Sequence, residues 1–461
     1  MMSKFSNTIL LDSGQNDTIC ASATAPGGAL AVIRISGPNA ISTASSVCCG
    51  FNATIPANTV RFTRVKDGTE VIDEAMVSLF KAPHSYTGED SVEISCHGSM
   101  YILNKVLSLL IERGCRMARP GEFTMRAYLN GKMDLSQAEA VADLIASSNK
   151  ATHDIAMSQL RGHFSSELDR LRSQLLKMTS LLELELDFSD HEDLEFADRT
   201  ELLALAQEID NRVMQLARSF ETGKAIKQGI PVAIVGKTNV GKSTLLNQLI
   251  GDERAIVSDI HGTTRDTIEE TMEIGGTMFR FTDTAGLRKT TDKVEQIGIE
   301  RTYAAIQKAR IVLWVFDQKP SVEEKNDMAK RCVQKCLIPI LNKADKETDD
   351  SSQASPFLKI SAKYGKAIPH LKRCIFDKAK KIGLIANPSD IVITNARHFD
   401  ALLRAHDNIH RVICGLKAQL SGDLISEDLR QTINAIAEIT GGQISPQETL
   451  NNIFKNFCVG K

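Results

Sequence analysis

Hydrophobic positions change their period along the chain. Over residues 18–131, short β-rich runs at 31–35, 75–80 and 92–96 are separated by Gly and Pro turns. One helical stretch over 100–112 interrupts them, which predicts a compact α+β domain. Between Pro120 and Pro231 the chain has no proline, and Leu168, Leu171, Leu175, Met178 and Leu182 recur at helical spacing, so long helices are expected. From Ile230 onward strands near 232–235, 277–282, 311–316, 337–341 and 357–360 alternate with helical stretches, the pattern of a doubly wound α/β sheet. After Pro388 helical spacing returns, with Leu402, Leu403, Ile409, Val412, Ile413, Leu416 and Leu420 on a wide apolar stripe.

These last residues are few for a separate domain. Packing them against the helices of 133–220 makes the α/β unit an insertion into a helical domain built from two chain segments. The expected boundaries are 1–131, 132–228, 229–385 and 386–461.

Composition narrows the class. A chain of 461 residues with 42% hydrophobic and 24% charged positions can build several cores and is neither fibrous nor disordered as a whole. A net charge of −2 means that any nucleic-acid contact comes from a local patch or a partner. Apolar stretches reach about six residues where a membrane span needs roughly 20, and the first fifteen residues do not read as a secretory signal, so a cytoplasmic location and no membrane are expected. The 10 cysteines include no Cys-x-x-Cys pair. Cys332 and Cys336 are read as four apart on a helix, and the thiols as reduced and mostly buried. Residues 183–198 hold eight carboxylates and are read as a solvated connection between helices.

Gly236-Lys-Thr-Asn-Val-Gly241-Lys242-Ser243 follows an apolar strand and opens a helix, the setting a phosphate-binding loop requires. Its glycines let backbone N–H groups curl around phosphate oxygens at the positive end of the helix dipole. Lys242 adds charge on the β and γ phosphates, and the Ser243 hydroxyl suits Mg²⁺. Three segments resembling the small-GTPase class follow in order: Gly262-Thr-Thr264-Arg265-Asp266, Asp283-Thr284-Ala285-Gly286 and Asn342-Lys343-Ala344-Asp345, then Ser361-Ala362-Lys363. Thr264 can close over the metal when the γ-phosphate is present and release it afterwards. Asp283 suits a water-mediated hold on Mg²⁺. The Asp345 carboxylate accepts two N–H donors that guanine has and adenine lacks, so GTP is expected rather than ATP.

The position that carries the water-orienting Gln in Ras-like proteins is Leu287. Arg265 and Arg288 read either as arginine fingers or as phosphate-loop and interface arginines. Asn239 reads either as a ligand of a monovalent cation between the phosphates or as a turn-forming residue.

Several further segments resemble the tRNA modification GTPase MnmE (TrmE) family: Gly88-Glu-Asp-Ser-Val-Glu93-Ile-Ser-Cys-His97-Gly98, Ala118-Arg-Pro-Gly-Glu-Phe-Thr124, Leu129-Asn-Gly-Lys132-Met-Asp-Leu-Ser-Gln-Ala-Glu139, and the terminal Phe457-Cys458-Val459-Gly460-Lys461. The resemblance implies an N-terminal α+β domain that binds 5-formyltetrahydrofolate or a related one-carbon tetrahydrofolate and dimerises, a helical domain of two segments, and an inserted α/β Ras-like P-loop GTPase domain. Folate contacts fall on Arg34, Glu93, Lys132 and Lys461. GTP contacts fall on Asn239, Val240, Gly241, Lys242, Ser243 and Thr244, on Ser258, Asp259, Ile260, His261, Gly262, Thr263 and Thr264, on the 283–286 segment, and on Asn342, Lys343, Ala344, Asp345, Ser361, Ala362 and Lys363. Mg²⁺ falls to Ser243 and Thr264, and K⁺ to Asn239, Ser258, Ile260 and Thr263. Glu295 matches the glutamate that orients the hydrolytic water and answers the missing Gln, while Cys458 matches a residue needed for tRNA modification rather than hydrolysis. The implied activity is potassium-dependent GTP hydrolysis coupled to adding a carboxymethylaminomethyl or aminomethyl group at C5 of the wobble uridine. A homodimer would act with an MnmG-like FAD protein, in a heterotetramer or larger complex, on tRNA.

The chain departs from the family at Pro26-Gly27-Gly28-Ala29, which is shorter than the usual turn, and at Ser258, often Thr. The alternatives are a GTPase switch of ribosome assembly without covalent chemistry and an N-terminal half that is only a dimerisation scaffold.

Overall fold

The computed structural model describes residues 17–187, 199–251, 269–283, 302–346, 357–387, 390–442, 447–455 and 457–460. They fall into two compact units, one of residues 1–142 with 440–461 and one of residues 143–439.

The first unit is built on a six-stranded sheet in the order β3-β4-β5-β2-β1-β6. Its strands are β1 (Thr18–Ser22), β2 (Leu30–Ser36), β3 (Thr59–Asp67), β4 (Glu70–Phe80), β5 (Ser91–His97) and β6 (Cys115–Met117). Neighbours run antiparallel except β1 and β6. Alternation along β2 and β5 sends Ala31, Ile33, Ile35, Val92, Ile94 and Cys96 into a core with helices α1 (Ala40–Val47) and α2 (Met100–Glu112). The residues between them therefore face the other way. There Ile19 and Ala21 pack with Ala118 and with Phe123 of α3 (Glu122–Leu129).

Helix α4 (Leu135–Ala146) follows, and its Leu135 and Ala138 meet Leu450 and Phe454 of the last helix, Gln447–Phe454. That apolar contact draws residues 440–461 into the first unit, so the helical segment expected over 386–461 divides in space.

In the second unit, α5 (Lys150–Leu160), α6 (His163–Asp187) and α7 (Arg199–Gln228) precede the α/β part. The five residues of the predicted 168–182 stripe are all buried, in one cluster with Leu402, Ile409, Val412, Ile413 and Leu416. The helix carrying these last residues, Ala396–Lys417, lies against α7. A single helical core is thus assembled from chain on both sides of the α/β part. Leu420 departs from the stripe: the helix stops at Lys417, and the side chain is 44% exposed. Of the acidic run, residues 183–187 continue α6, and 188–198 lie outside the described residues.

The α/β part has β7 (Ile230–Val235), β8 (Glu269–Ile274), β9 (Thr277–Asp283), β10 (Ile311–Phe316), β11 (Cys336–Leu341) and β12 (Leu358–Lys359), ordered β12-β11-β10-β7-β9-β8. All pairs are parallel except β8 with β9. Every residue of β10 is buried, as a central strand covered on both faces requires. Around it lie α8 (Lys242–Ile250), α9 (Val322–Arg331) and α10 (Ile368–Lys381). Strand β12 is shorter than the expected 357–360. Cys332 and Cys336 do not share a helix: Cys332 caps α9, and Cys336 opens β11, because the chain turns between them. Among the described residues no group of His, Cys, Asp and Glu suits a metal ion, and no helix is long and apolar enough to cross a membrane.

Candidate functional site

Strand β7 lies between β9 and β10, where the strand order reverses, so the loop after its carboxyl end opens into the crevice where α/β sheets take ligands. That loop is residues 236–241. Asn239 and Gly241 both adopt positive φ, 62° and 95°, which curls the chain before α8. Gly241 admits no side chain, because a Cβ there would stand 2.4 Å from Asn342 Nδ2. Lys242, 6% exposed, folds over the loop and donates to Gly236 O at 2.8 Å and Lys237 O at 2.7 Å. Both of these acceptors are main-chain dipoles, and they hold the ammonium at the N-terminus of α8. Ser243 and Thr244 are exposed in the first turn of that helix. Val240 is buried beneath the loop, whereas Asn239 is exposed, and its side-chain amide has no hydrogen-bond partner among the described residues.

Asn342, buried after β11, joins the two halves of the site. Its Nδ2 donates to Val240 O at 2.8 Å, and its Oδ1 accepts from Ala362 N at 2.9 Å. Lys343 Nζ reaches Asn239 O and the Asp317 carboxylate, both at 2.8 Å. Ala344 and Asp345 form a 3₁₀ turn, and Asp345 Oδ1 accepts from Ser361 Oγ at 2.5 Å, leaving an exposed carboxylate beside the 361–363 loop. Lys363 lies over the Tyr364 ring. The structure thus brings the phosphate loop, the 342–345 segment and the 361–363 segment together, as expected for a guanine nucleotide. Asp317 was not singled out in the sequence. Asp283 ends β9 next to β7. Ser258, Asp259, Ile260, His261, Gly262, Thr263, Thr264, Thr284, Ala285, Gly286 and Glu295 lie outside the described residues, as do Arg265, Leu287 and Arg288.

The first unit carries a second site. Arg34 and Glu93 are direct partners across β2 and β5, on the face turned away from α1 and α2. Arg34 Nε donates to Glu93 Oε1 at 2.9 Å, and Nη1 lies 3.4 Å from Gly460 O. The guanidinium also lies against the rings of Tyr86 and Phe123, 5.3 and 5.6 Å from their centroids. The tail reaches this point because Gly460 takes φ +93° and passes so close to β1 that a Cβ would stand 2.1 Å from Ser22 O. Lys132 is not part of this pair; it donates to Pro83 O at 2.9 Å, on the loop that carries Tyr86. Lys461 lies outside the described residues. Cys458 is exposed, and its carbonyl accepts from Gly121 N at 3.2 Å, so its thiol is not a packing group.

The loop over 83–90 is held from below by groups to which the motif reading gave no individual role. Tyr86 bonds Thr124 at 2.8 Å, Asn130 Nδ2 donates to Thr87 O at 2.7 Å, and Arg126 reaches Glu89 at 3.2 Å. Arg126 also pairs with Asp17 at 2.7 Å and Glu122 at 3.3 Å, and Arg116 bonds both carboxylates. Burial pushes Glu122 up, but Arg116, the Arg119 N–H and Arg126 outweigh it and hold the carboxyl below its ordinary range. Sequence gave only weak signals here, since the partners lie up to 109 residues apart.

Residues 18–132 match the family model "GTP-binding protein TrmE N-terminus", and residues 135–458 match "MnmE helical domain". The chain is 52% identical to the tRNA modification GTPase MnmE of Bacteroides thetaiotaomicron, over 96% of this chain and 99% of that one. It is 51% identical to that of Phocaeicola vulgatus over the same shares, and 49% identical to that of Porphyromonas gingivalis over 98% and 100%. The chain therefore belongs to the MnmE family of tRNA modification GTPases and is a GTP hydrolase that serves tRNA modification.

Proposed function

We propose that this chain is a potassium-dependent GTPase which, with an MnmG-like FAD protein, adds a carboxymethylaminomethyl or aminomethyl group at C5 of the wobble uridine of certain tRNAs. The observation that carries the reading is the Asn342 side chain, which ties the Lys242 loop to the 361–363 loop and so builds one nucleotide site from three separate motifs.

GTP binding replaces the two carbonyls on Lys242 with phosphate oxygens, a stronger charge-assisted pairing. Asp345 reads the guanine N–H groups while Ser361 holds its other oxygen. Mg²⁺ would be held by Ser243 and Thr264 and would neutralise phosphate charge. The free, outward amide of Asn239 fits a K⁺ ligand, with Ser258, Ile260 and Thr263 as further ligands, and that cation would supply the charge of an arginine finger, worth on the order of 10³ to 10⁵ in rate. Glu295 orients the hydrolytic water. Tetrahydrofolate would be held on the Arg34–Glu93 face, where Glu93 would accept pterin N–H groups and Arg34, Lys132 and Lys461 would attract the glutamate carboxylates; Cys458 would act in the modification step. The working unit is a cytoplasmic homodimer joined to its FAD partner.

Two measurements test this. Glu295→Ala should bind GTP almost normally and lose most hydrolysis; unchanged turnover removes the assigned role. Mass spectrometry of wobble uridines from cells lacking the gene should show loss of the C5 substituent. Intact modification would leave the GTPase as a switch of another process, such as ribosome assembly.

A further inference from the structure

We infer that the outer face of α10, with the loop that leads into it, is a docking strip for the phosphate backbone of RNA. Residues 359–381 hold eight Lys and Arg against one carboxylate, Asp377, a net +7 in a chain whose total is −2. This is a local positive patch of the kind that a nucleic-acid contact requires in a chain of this net charge.

Its arrangement separates it from ordinary surface charge. Helix α10 buries Ile368, Leu371, Ile375 and Ala379 against the sheet and turns His370, Arg373, Lys378, Lys380 and Lys381 to solvent. These positions run about 16 Å along the axis at 1.5 Å per residue, enough to meet several consecutive phosphates. Lys366 extends the row from the loop before the helix. Arg373, Lys378 and Lys381 form no ion pair among the described residues. The companion helix α9 shows the usual alternative: it mixes signs and neutralises them, with Arg331 on Asp327 at 2.7 Å and Glu324 on Lys237 at 2.5 Å. Lysines in the last turn of α10 also favour the helix dipole, but that accounts for neither Arg373 nor Lys366, which lie away from the C-terminus. A row of unpaired cations on a rigid helix fits a regularly spaced polyanion, and the phosphate backbone is the partner that releases counterions on binding.

The inference rests on the reading that this chain itself contacts tRNA, and the experiment separates the two. Binding of a fluorescent tRNA transcript to the full chain is measured from 50 to 300 mM KCl for the native sequence and for the triple variant Arg373→Gln, Lys378→Gln, Lys381→Gln. GTP turnover, which these positions do not serve, reports that the variant is folded. If the strip contacts RNA, the variant binds about tenfold or more weakly at 100 mM salt, and the slope of log K against log salt becomes shallower by about two to three. Equal affinities and equal slopes overturn the strip and leave it to an acidic protein surface. If the native chain shows no salt-dependent affinity, the reading of direct tRNA contact fails first, and the strip falls with it.

Discussion

Lys242 and Arg34 are both cations fixed within the fold, but by different means. Two main-chain carbonyls accept from the Lys242 ammonium, at 2.8 and 2.7 Å. A carboxylate holds Arg34, through Glu93 at 2.9 Å, with two aromatic rings alongside. The carbonyl dipoles orient Lys242 at the N-terminus of α8, where the oxygens of an incoming polyanion can take their place. At the Arg34–Glu93 pair the charges already cancel. A simple anion gains little there, whereas a ligand with both N–H donors and a carboxylate can engage both members. Under the proposed function, the first arrangement suits a phosphate chain, and the second suits an amphoteric ring system such as a pterin with its glutamate tail.

The contrast can be broken from either side. The largest effect is expected at Arg126, whose guanidinium serves Asp17, Glu89 and Glu122 beneath the second site. Arg126→Ala takes one of two arginine partners from buried Glu122 and half-buried Asp17 and removes the ion pair of Glu89, and should cost about 3 kcal/mol in thermal unfolding. A Tm within a degree of native would show that the network is not what holds that face.

Asn342→Ala comes next. It removes both bonds that tie the phosphate loop to the 361–363 loop and should weaken GTP binding by about a hundredfold, from two buried hydrogen bonds of about 1–1.5 kcal/mol each. Unchanged affinity by titration would mean that the backbone alone holds the loop. At Arg34, Lys keeps the charge but loses the fork, so Arg34→Lys should lower the heat of 5-formyltetrahydrofolate binding while GTP binding is untouched. Equal heats would end the folate assignment and leave this half as a scaffold.

The smallest effect is a pH dependence. Glu122 is held below its ordinary value of 4.5, so it stabilises the fold above that value and loses this contribution as pH falls through its lower folded value. The Tm gap between the native chain and Glu122→Gln should therefore be widest near neutrality and close as pH drops below about 4.5. A gap that stays constant with pH contradicts the ion-pair account.

What was legible in the sequence follows the same division. The phosphate loop could be read because its backbone geometry demands particular residues in consecutive order. The helix at 100–112 and the strand at 311–316 match their predicted ends because each carries a strong, uninterrupted period. Strands β1, β3, β6 and β8 went unread. Thr18–Ser22 is short and small-residued, while β3 turns Arg61, Phe62 and Arg64 to solvent and breaks the alternation with a register shift at Val65. Strand β8 is set by pairing with β9, which a local pattern does not show. The Arg34–Glu93 pair joins strands 59 residues apart, so without the family resemblance both read as ordinary surface charges.

The central claim is that a cation beside Asn239 completes the GTP site. Steady-state GTP turnover of the full chain in KCl and in NaCl at equal ionic strength tests it most directly, with Asn239→Ala run alongside. The account predicts a steep rise in potassium for the native chain and no such response in the variant. Equal rates of the native chain in the two salts would contradict it.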